Sequence, residues 1–487
     1  MTVSTSASST PVTPTSPSTS TSPSTSPMHA RLVVAAWLFS DIASLFGSAL
    51  SGLAVPWMVL NLTHNTAATG IVSAVQLGTL VAANLVSGPL IDKLGPTRIS
   101  ISCDIASACC IALIPLLWFL HLFSIPALIV IVAVVGALRG PANSSKSVLS
   151  PSVAQFSKQP MERITGLSGT TERMASTIGS AAGGVIIGVV GGPYALVFTS
   201  LGLIIGAILT ATIVRPALLP IIRASQTQTA ASADTGSGQS ALSTDGTRQP
   251  DGQTGAASAH SRAKGDVKSA VSRYGKDLAA GWKSLMALPM VFGLTLIPAI
   301  TNMIDIAWTD VLTPAWVLSQ HLGSQTLGML FASLTFPAMI SSMIATVLAS
   351  RLPRFPVFII GYLLVGAPRY LAMAFNAPTS IVVATLIIGG IGSGFLNPIL
   401  SATIYERIPG NSRGKIISLT SAISWGLMPI GSLLGGFMSH ILGLNITLGI
   451  LGIAYLIITM LPLFVPALRH FERITPETSQ QHDIAAQ

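Results

Sequence analysis

The feature that most constrains the fold of this chain is a series of long apolar runs, each able to cross a lipid bilayer as one helix. A helix needs about 20 apolar residues to do so, because in hydrocarbon every backbone hydrogen bond must be closed internally. Only 8% of the 487 residues are charged, against roughly a quarter in soluble domains. The sequence therefore predicts an all-α membrane protein and excludes a water-soluble fold.

The apolar runs number twelve and divide evenly between the two halves of the chain. The first six are predicted at Leu32 to Leu60, Ala68 to Ile91, Ile99 to Leu120, Ile125 to Ser147, Ile164 to Val190 and Tyr194 to Val214. The second six are predicted at Met290 to Leu318, Leu327 to Ser350, Phe355 to Phe375, Ser380 to Ile404, Ile416 to Ile441 and Ile446 to Val465.

The Lys and Arg residues between these runs predict the orientation of the chain. If Arg31 and everything before it is cytoplasmic, all of them fall on the cytoplasmic side, and none falls in an external loop. This is the positive-inside bias of membrane proteins. We expect a multi-pass protein of the cytoplasmic (plasma) membrane with both termini in the cytoplasm.

Five regions follow from this pattern. Residues 1–30 are expected to be a disordered cytoplasmic tail, since 23 of the first 27 residues are Ser, Thr or Pro and bury too little apolar surface to order themselves. Residues 31–215 and 286–468 are predicted as two six-helix bundles. Residues 216–285 form a cytoplasmic linker whose last part, from Asp266, has the pattern of a basic amphipathic helix on the inner leaflet. Residues 469–487 form a second cytoplasmic tail.

The fifth and eleventh runs share a pattern of small residues. Residues 179–184 read GSAAGG and residues 431–436 read GSLLGG. Small residues let membrane helices approach closely, and the same spacing at equivalent points indicates that the halves are duplicated. Two repeated bundles around a central cavity are typical of a transporter. The glycines expected to pack helices together are Gly166, Gly179, Gly183, Gly184, Gly431, Gly435 and Gly436.

The turn after the second run carries a sequence motif. Residues 88–98 read GPLIDKLGPTR, which resembles the signature loop of the major facilitator superfamily, placed as in that family between the second and third of twelve spans. The resemblance implies two pseudo-symmetric six-helix bundles, alternating inward and outward states and a central substrate cavity. It assigns a gating latch to Gly88, Asp92, Lys93, Gly95 and Arg98. Asp104, six residues after Arg98 at the cytoplasmic end, is expected to belong with the same latch. The matching loop of the second half, residues 350–354, lacks the acid and the glycine, so its latch is expected to be weaker or absent.

The fifth run also resembles the antiporter motif of drug exporters, and the start of the first run is similar to the branch that includes macrolide and siderophore exporters. Two positions depart from the antiporter motif. Ala175 stands where a glycine is usual, and Ser180 where a proline is usual. The resemblance implies drug/proton antiport, weakened by these two differences.

Ionisable residues inside a membrane span are costly, by at least about 2.5 kcal/mol, and are functional candidates by default. Asp41 lies nine residues after Leu32, about 14 Å along the helix, and is our first candidate to carry a coupling proton. A permanent structural pairing of Asp41 is the alternative. Glu172 and Asp305 are further proton candidates, although a plain salt bridge is favoured for Glu172. Asp310 is expected to be solvated near the outer surface.

The substrate cavity is expected to include Arg369, Trp57, Met303 and Trp308. Arg369 could bind an anionic group of the substrate, but pairing with Asp305 is favoured because an unpaired buried cation is rare. The aromatic and Met side chains could line an adaptable cavity, although positions facing lipid or the core are favoured for any one of them.

Several kinds of chemistry lack their sequence signature. No Gly-rich phosphate loop indicates nucleotide hydrolysis, and no His/Cys cluster or nucleophile–base set indicates a metal, a cofactor or an enzyme. The net charge of +9 follows from topology and does not imply nucleic-acid binding. We therefore expect a monomeric secondary transporter that exports a small amphipathic compound, drug-like or siderophore-like, in exchange for protons. An uptake symporter and a non-transporting receptor or scaffold remain alternatives.

Overall fold

The computed structural model describes residues 27–222, 282–283, 285–348, 351–408 and 413–465. Within this part of the chain, twelve helices are long and apolar enough to cross a membrane, as the sequence predicts. Helices α1 to α6 span Met28–Thr63, Thr66–Leu94, Pro96–Phe119, Ile125–Ser157, Arg163–Val190 and Gly192–Ile222. Helices α7 to α12 span Pro289–Ser319, Ser324–Ala345, Arg354–Ala374, Thr379–Arg407, Ile416–Leu442 and Leu444–Leu463.

The helices form two bundles with equivalent packing. In the first bundle α1 packs on α5, α2 on α4, and α3 on α6; in the second, α7 packs on α11, α8 on α10, and α9 on α12. The turns repeat as well, since α5 ends at Gly191 (φ 86°, ψ 156°) and α11 at Gly443 (φ 88°, ψ 157°). Positive φ is accessible to glycine without steric cost. The duplication read from the glycine pattern therefore extends to the backbone.

Helices α7 and α9 are among those that depart from the regular α-helices that the apolar runs predict. Helix α7 widens into a π-helical turn at Trp308–Leu312. Pro314 follows this turn, and a proline ring in a regular helix would clash with the carbonyl four residues earlier, here that of Asp310. Helix α9 is interrupted at Gly366, where a side chain would collide with the ring of Tyr455. Both irregularities place charged residues that are described below.

The two bundles meet at one end of the molecule. We call the end where α1 begins the N-terminal face and the other end the opposite face. Near the opposite face, Thr66 Oγ1 donates to the Gly436 carbonyl (3.2 Å) and Ser324 Oγ donates to the Gly184 carbonyl (3.3 Å). Toward the N-terminal face the bundles separate, and a pocket of about 360 Å³ lies between α5 and α8. The cleft between the bundles is thus open toward the N-terminal face.

The bundle boundaries differ slightly from the prediction. Helix α6 continues to Ile222 instead of ending at residue 215, and α7 begins at Pro289. Helix α4 extends to Ser157, ten residues past its predicted end, because polar residues continue the helix beyond the apolar run. Residues 1–26, 466–487 and most of the linker with its expected amphipathic helix lie outside the described residues.

Candidate transport site

The first bundle contains a buried network of charges between α1, α3 and α4. Asp104 of α3 is fully buried and lies 2.9 Å from Lys146 Nζ and 3.6 Å from a terminal nitrogen of Arg139. Arg139 also donates to Ser44 Oγ (3.1 Å), to the Ser44 carbonyl (3.2 Å) and to Ser48 Oγ. The guanidinium of Arg139 therefore has hydrogen-bond partners on α1 and an ion partner on α3.

The position of Asp104 corrects its predicted role in the loop latch. Its carboxylate lies about 9 Å beyond Arg98 along the axis of α3, by the helical rise of six residues. It is held inside the bundle by two cations of α4. A carboxylate enclosed in this way cannot reach the facing bundle. Asp104 therefore fixes α3 against α4 and orients Arg139.

Asp41 and Glu172 lie next to this network without belonging to it. Asp41 is half-buried on α1, and Lys146, Glu172, Asp104 and Arg139 are its charged neighbours. Within the described residues Asp41 makes no hydrogen bond or ion pair. Glu172 is exposed and lines the pocket between α5 and α8. The salt bridge favoured for Glu172 is absent from the described part of the chain, because its side chain points into the open cleft.

The second bundle contains a separate ion pair. Arg369, 3% exposed, forms a salt bridge with Asp305, which is the partner favoured from the sequence. Tyr370 Oη donates to the Ile304 carbonyl (3.1 Å) and to Asp305 Oδ1 (3.2 Å). The guanidinium carbon of Arg369 lies 4.5 Å from the ring centroid of Trp308. The interruption at Gly366 starts the helical segment that holds Arg369 and Tyr370.

The aromatic candidates for the cavity lie elsewhere. Trp57 (8% exposed) and Trp308 (1% exposed) belong to the hydrophobic core, and Met303 packs partly buried against it. Trp308 instead supports Arg369 through a cation–π contact, and Arg369 is turned toward Asp305. None of these four residues lines the central cavity described below, so their place in the substrate cavity stays a prediction.

A cavity of about 200 Å³, which we call the central cavity, lies in the first bundle against α7 of the second. Residues from α1, α2 and α4 form most of its wall, and the second bundle contributes Asp310. Asp310 lies in the π-helical turn of α7, is half-buried and accepts a hydrogen bond from Ser432 Oγ (3.2 Å). The expectation that Asp310 is solvated near the outer surface is wrong, because this face of α7 packs against the first bundle. Sequence position alone gave no signal for this; the nearby Pro314 was the available hint of an irregular turn.

The signature loop makes few contacts. Asp92, Lys93 and Arg98 are exposed, and no hydrogen bond or ion pair joins Asp92 to another described residue. Gly95 has φ 85° and connects α2 to α3, a conformation that favours glycine. Gly88 lies inside α2 with nothing within 4 Å of an added Cβ, so it does not mediate a close helix approach here. The loop lies at the N-terminal face, where the bundles are apart.

Six of the seven selected glycines lie at close helix contacts, and their arrangement repeats between the halves. Gly179 and Gly183 pack on α1, and Gly184 packs on Gly328 of α8. In the second half Gly431 and Gly435 pack on α7, and Gly436 packs on Gly70 of α2. Gly166 is exposed with open space around it, because its part of α5 faces the open cleft. Its assignment as a packing glycine is therefore wrong for this state.

An ion pair in the second half was missed from the sequence. Arg354, in the loop that had lost its acid, makes two parallel hydrogen bonds to Glu406 at 2.6 and 2.7 Å. The acid comes from the end of α10 instead of from the loop itself. A separation of 52 residues leaves no local pattern by which the partner could have been found.

We expect Glu406→Gln to lower the unfolding free energy by up to about 1 kcal/mol, the upper end for a partly exposed pair with ideal bidentate geometry. Thermal unfolding in detergent measures this change. Arg354→Gln should cost a similar amount, and the double variant no more than either. Arg351→Gln is the matched control, since Arg351 is exposed nearby and forms no ion pair within the described residues. Additive losses would show that the two side chains act independently.

Comparison with known proteins identifies the family to which this arrangement belongs. The family model of the Major Facilitator Superfamily matches residues 37–309 and 295–485, which together cover most of the chain. The chain belongs to the Major Facilitator Superfamily. It is therefore a multi-pass membrane transporter of small molecules, not an enzyme.

Similar proteins within the superfamily include drug exporters. The multidrug efflux pump Tap of Mycobacterium tuberculosis is 24% identical over 438 residues, covering 89% of this chain and 94% of that protein. Tap of Mycolicibacterium fortuitum is 20% identical over 442 residues, covering 89% and 96%. A peptide transporter POT in complex with sulfate has a TM-score of 0.63 at 13% identity, covering 91% and 96%. The nucleoside transporter NupG has a TM-score of 0.57 at 14% identity, covering 92% and 100%. The two solved structures support the fold alone.

Proposed function

We propose that this superfamily member exports a small amphipathic compound from the cytoplasm, drug-like or siderophore-like, in exchange for protons. The observation that carries the proposal is the confinement of bundle contacts to the opposite face, which leaves one shared cleft open on the other side. A transporter needs two such states, each closed at one end. Similarity to the Tap pumps along 89% of the chain supports export as the direction.

The charge distribution supports the orientation. The turns at the opposite face, residues 64–65, 120–124, 191, 320–323, 375–378 and 443, contain no Lys or Arg. The turns at the N-terminal face carry Lys93, Lys158 and Arg351, among others. By the positive-inside rule, the N-terminal face is cytoplasmic in a plasma membrane. The state described is then inward-open, with the signature loop at the open end and its latch unmade.

Asp41 is the best candidate to carry the coupling proton. Asp305 is neutralised by Arg369 and bonded to Tyr370, and Glu172 is already exposed to water in the cleft. Of these three carboxylates, Asp41 is the one that is both half-buried and without an ion partner in the described part of the chain. A group that alternates between protonated and charged forms must not be fixed permanently by a counter-ion.

We expect Asp41→Asn to reduce gradient-driven export in proteoliposomes by about tenfold or more, because a neutral amide removes the proton site that couples the two fluxes. Exchange of substrate without a pH gradient should be largely retained. The measurement is flux of a lipophilic dye with and without an imposed pH gradient. Glu172→Gln is the matched control and should keep most of the gradient-driven flux. Unchanged gradient-driven flux in Asp41→Asn would remove Asp41 from the coupling role.

The uptake symporter has less support from the site. That alternative depended on Arg369 and Asp305 touching a polar solute, but the two side chains bind each other and neither lines the central cavity. A receptor or scaffold without transport would not need a cleft that closes at one end only. Since each chain carries both bundles and the cleft between them, we propose that the monomer is the transporting unit.

A further inference from the structure

We propose that Asp310 is the residue that recognises a positively charged group of the substrate, so that the exported compounds include amines or other organic cations. This inference rests on the proposed export function and specifies its substrate class. It assigns a binding role to a residue in the irregular turn of α7, at the boundary between the bundles.

The first observation is the position of Asp310 in the cavity. Among the described residues that line it, Asp310 is the one acidic residue and the one contribution of the second bundle. The cavity runs along α2 from Ser73 to Leu80 and along α4 from Val135 to Asn143. These stretches correspond to roughly 11–12 Å of helix. Ser73 and Asp310 therefore lie at the end of the cavity nearer the opposite face, and Leu80 and Asn143 lie at the end nearer the N-terminal face.

The second observation is the uncompensated charge. The other charged side chain in the cavity wall, Arg139, is already bound by Asp104, Ser44 and Ser48. A carboxylate offers about four acceptor sites. Asp310 accepts hydrogen bonds from Ser432 Oγ (3.2 Å) and from the Ser73 hydroxyl, and no cation lies beside it in the described part of the chain. The wall of the central cavity therefore suits a ligand that carries a positive charge and hydrogen-bond donors.

The third observation is the backbone around Asp310. A π-helical turn interrupts α7 at Trp308–Leu312, and such turns are frequent at functional sites. Asp310 lies at its centre and bonds Ser432, whose own carbonyl packs against Gly70 of the first bundle. The carboxylate is therefore placed beside the contact that closes the opposite face.

The cavity volume limits what is bound there in this state. About 200 Å³ is below the roughly 300–1,000 Å³ of pockets that enclose a drug-sized ligand. It accommodates a charged head group, with the apolar part of the molecule extending toward the cleft. Asp310 would therefore determine preference for charge, and not the shape of the whole compound.

The test compares two fluorescent aromatic dyes of similar size, the cation ethidium and the neutral Nile red, binding to the full-length purified protein. We expect Asp310→Asn, which keeps the side-chain shape, to weaken ethidium binding by at least about tenfold, as for loss of a charge-assisted hydrogen bond. Nile red binding should change less than about twofold, because an uncharged ligand gains little from a carboxylate.

The outcomes separate this inference from the export proposal. Equal ethidium affinities in wild type and Asp310→Asn would overturn the inference, and so would a wild type that binds Nile red but not ethidium. Equal loss for both dyes would also overturn it, because the residue would then only support packing. Absence of gradient-driven flux for either dye, with the selective binding effect intact, would contradict export and leave the binding role of Asp310 standing.

Discussion

Gly184→Ala is expected to shift the conformational equilibrium away from the state closed at the opposite face by roughly 5- to 150-fold, with a comparable loss of transport. An added methyl group on Gly184 would collide with the backbone of Gly328, 2.5 Å from its nitrogen, and lie 2.7 Å from the Ser324 carbonyl oxygen. Overpacking of this kind costs about 1–3 kcal/mol, and about 1.4 kcal/mol corresponds to tenfold in an equilibrium. The backbone cannot move aside as a flexible side chain would. The collision involves the contact between bundles, so each bundle should remain folded.

The same substitution on the same helix supplies the control. Gly166 has no atom within 4 Å of an added Cβ, and Gly166→Ala should leave transport nearly unchanged. Spin labels at the exposed positions Asn61 and His440, in a background without native cysteines, measure the separation of the bundles at the opposite face. Relative to the wild type, the distance between the two labels should increase in Gly184→Ala and stay unchanged in Gly166→Ala. A variant with normal flux and an unchanged distance would show that this glycine contact does not determine closure.

Removing the carboxylate of Asp305 is expected to destabilise the second bundle strongly. Asp305→Asn would leave the guanidinium of Arg369, 3% exposed, without its counter-ion. Loss of one partner of a buried ion pair costs on the order of 3–5 kcal/mol. Unfolding by heat or denaturant in detergent measures the loss. The neighbouring rings of Trp308 and Tyr370 offset only part of it, since cation–π contacts contribute about 0.5–2 kcal/mol.

A double variant tests whether the loss comes from the uncompensated charge. Asp305→Leu combined with Arg369→Met should recover much of the stability, because a buried pair replaced by apolar side chains is often neutral in effect. Asp92→Asn is the exposed control and should leave unfolding unchanged. If Asp305→Asn unfolds normally but loses gradient-driven flux, the pair is functional, and Asp305 returns as a candidate proton carrier.

The sequence was sufficient for the features that depend on local pattern. The length of apolar runs determines the number of spans, because backbone hydrogen bonds must be closed within each span in hydrocarbon. The glycine spacing at residues 179–184 and 431–436 predicted close helix packing, and both segments pack at equivalent places. The loop at residues 88–98 indicated the superfamily, to which the family model assigns the chain.

The partners of the charged residues were decided by the tertiary structure. Asp104 forms ion pairs with α4 instead of contacting the loop, and Arg354 pairs with Glu406, 52 residues away. Asp310 lines a cavity formed mostly by the other bundle. Hydropathy is a property of single segments, so it can be read directly from the sequence. Which buried charges meet depends on how each helix is rotated, and this rotation follows from packing between helices far apart in the chain.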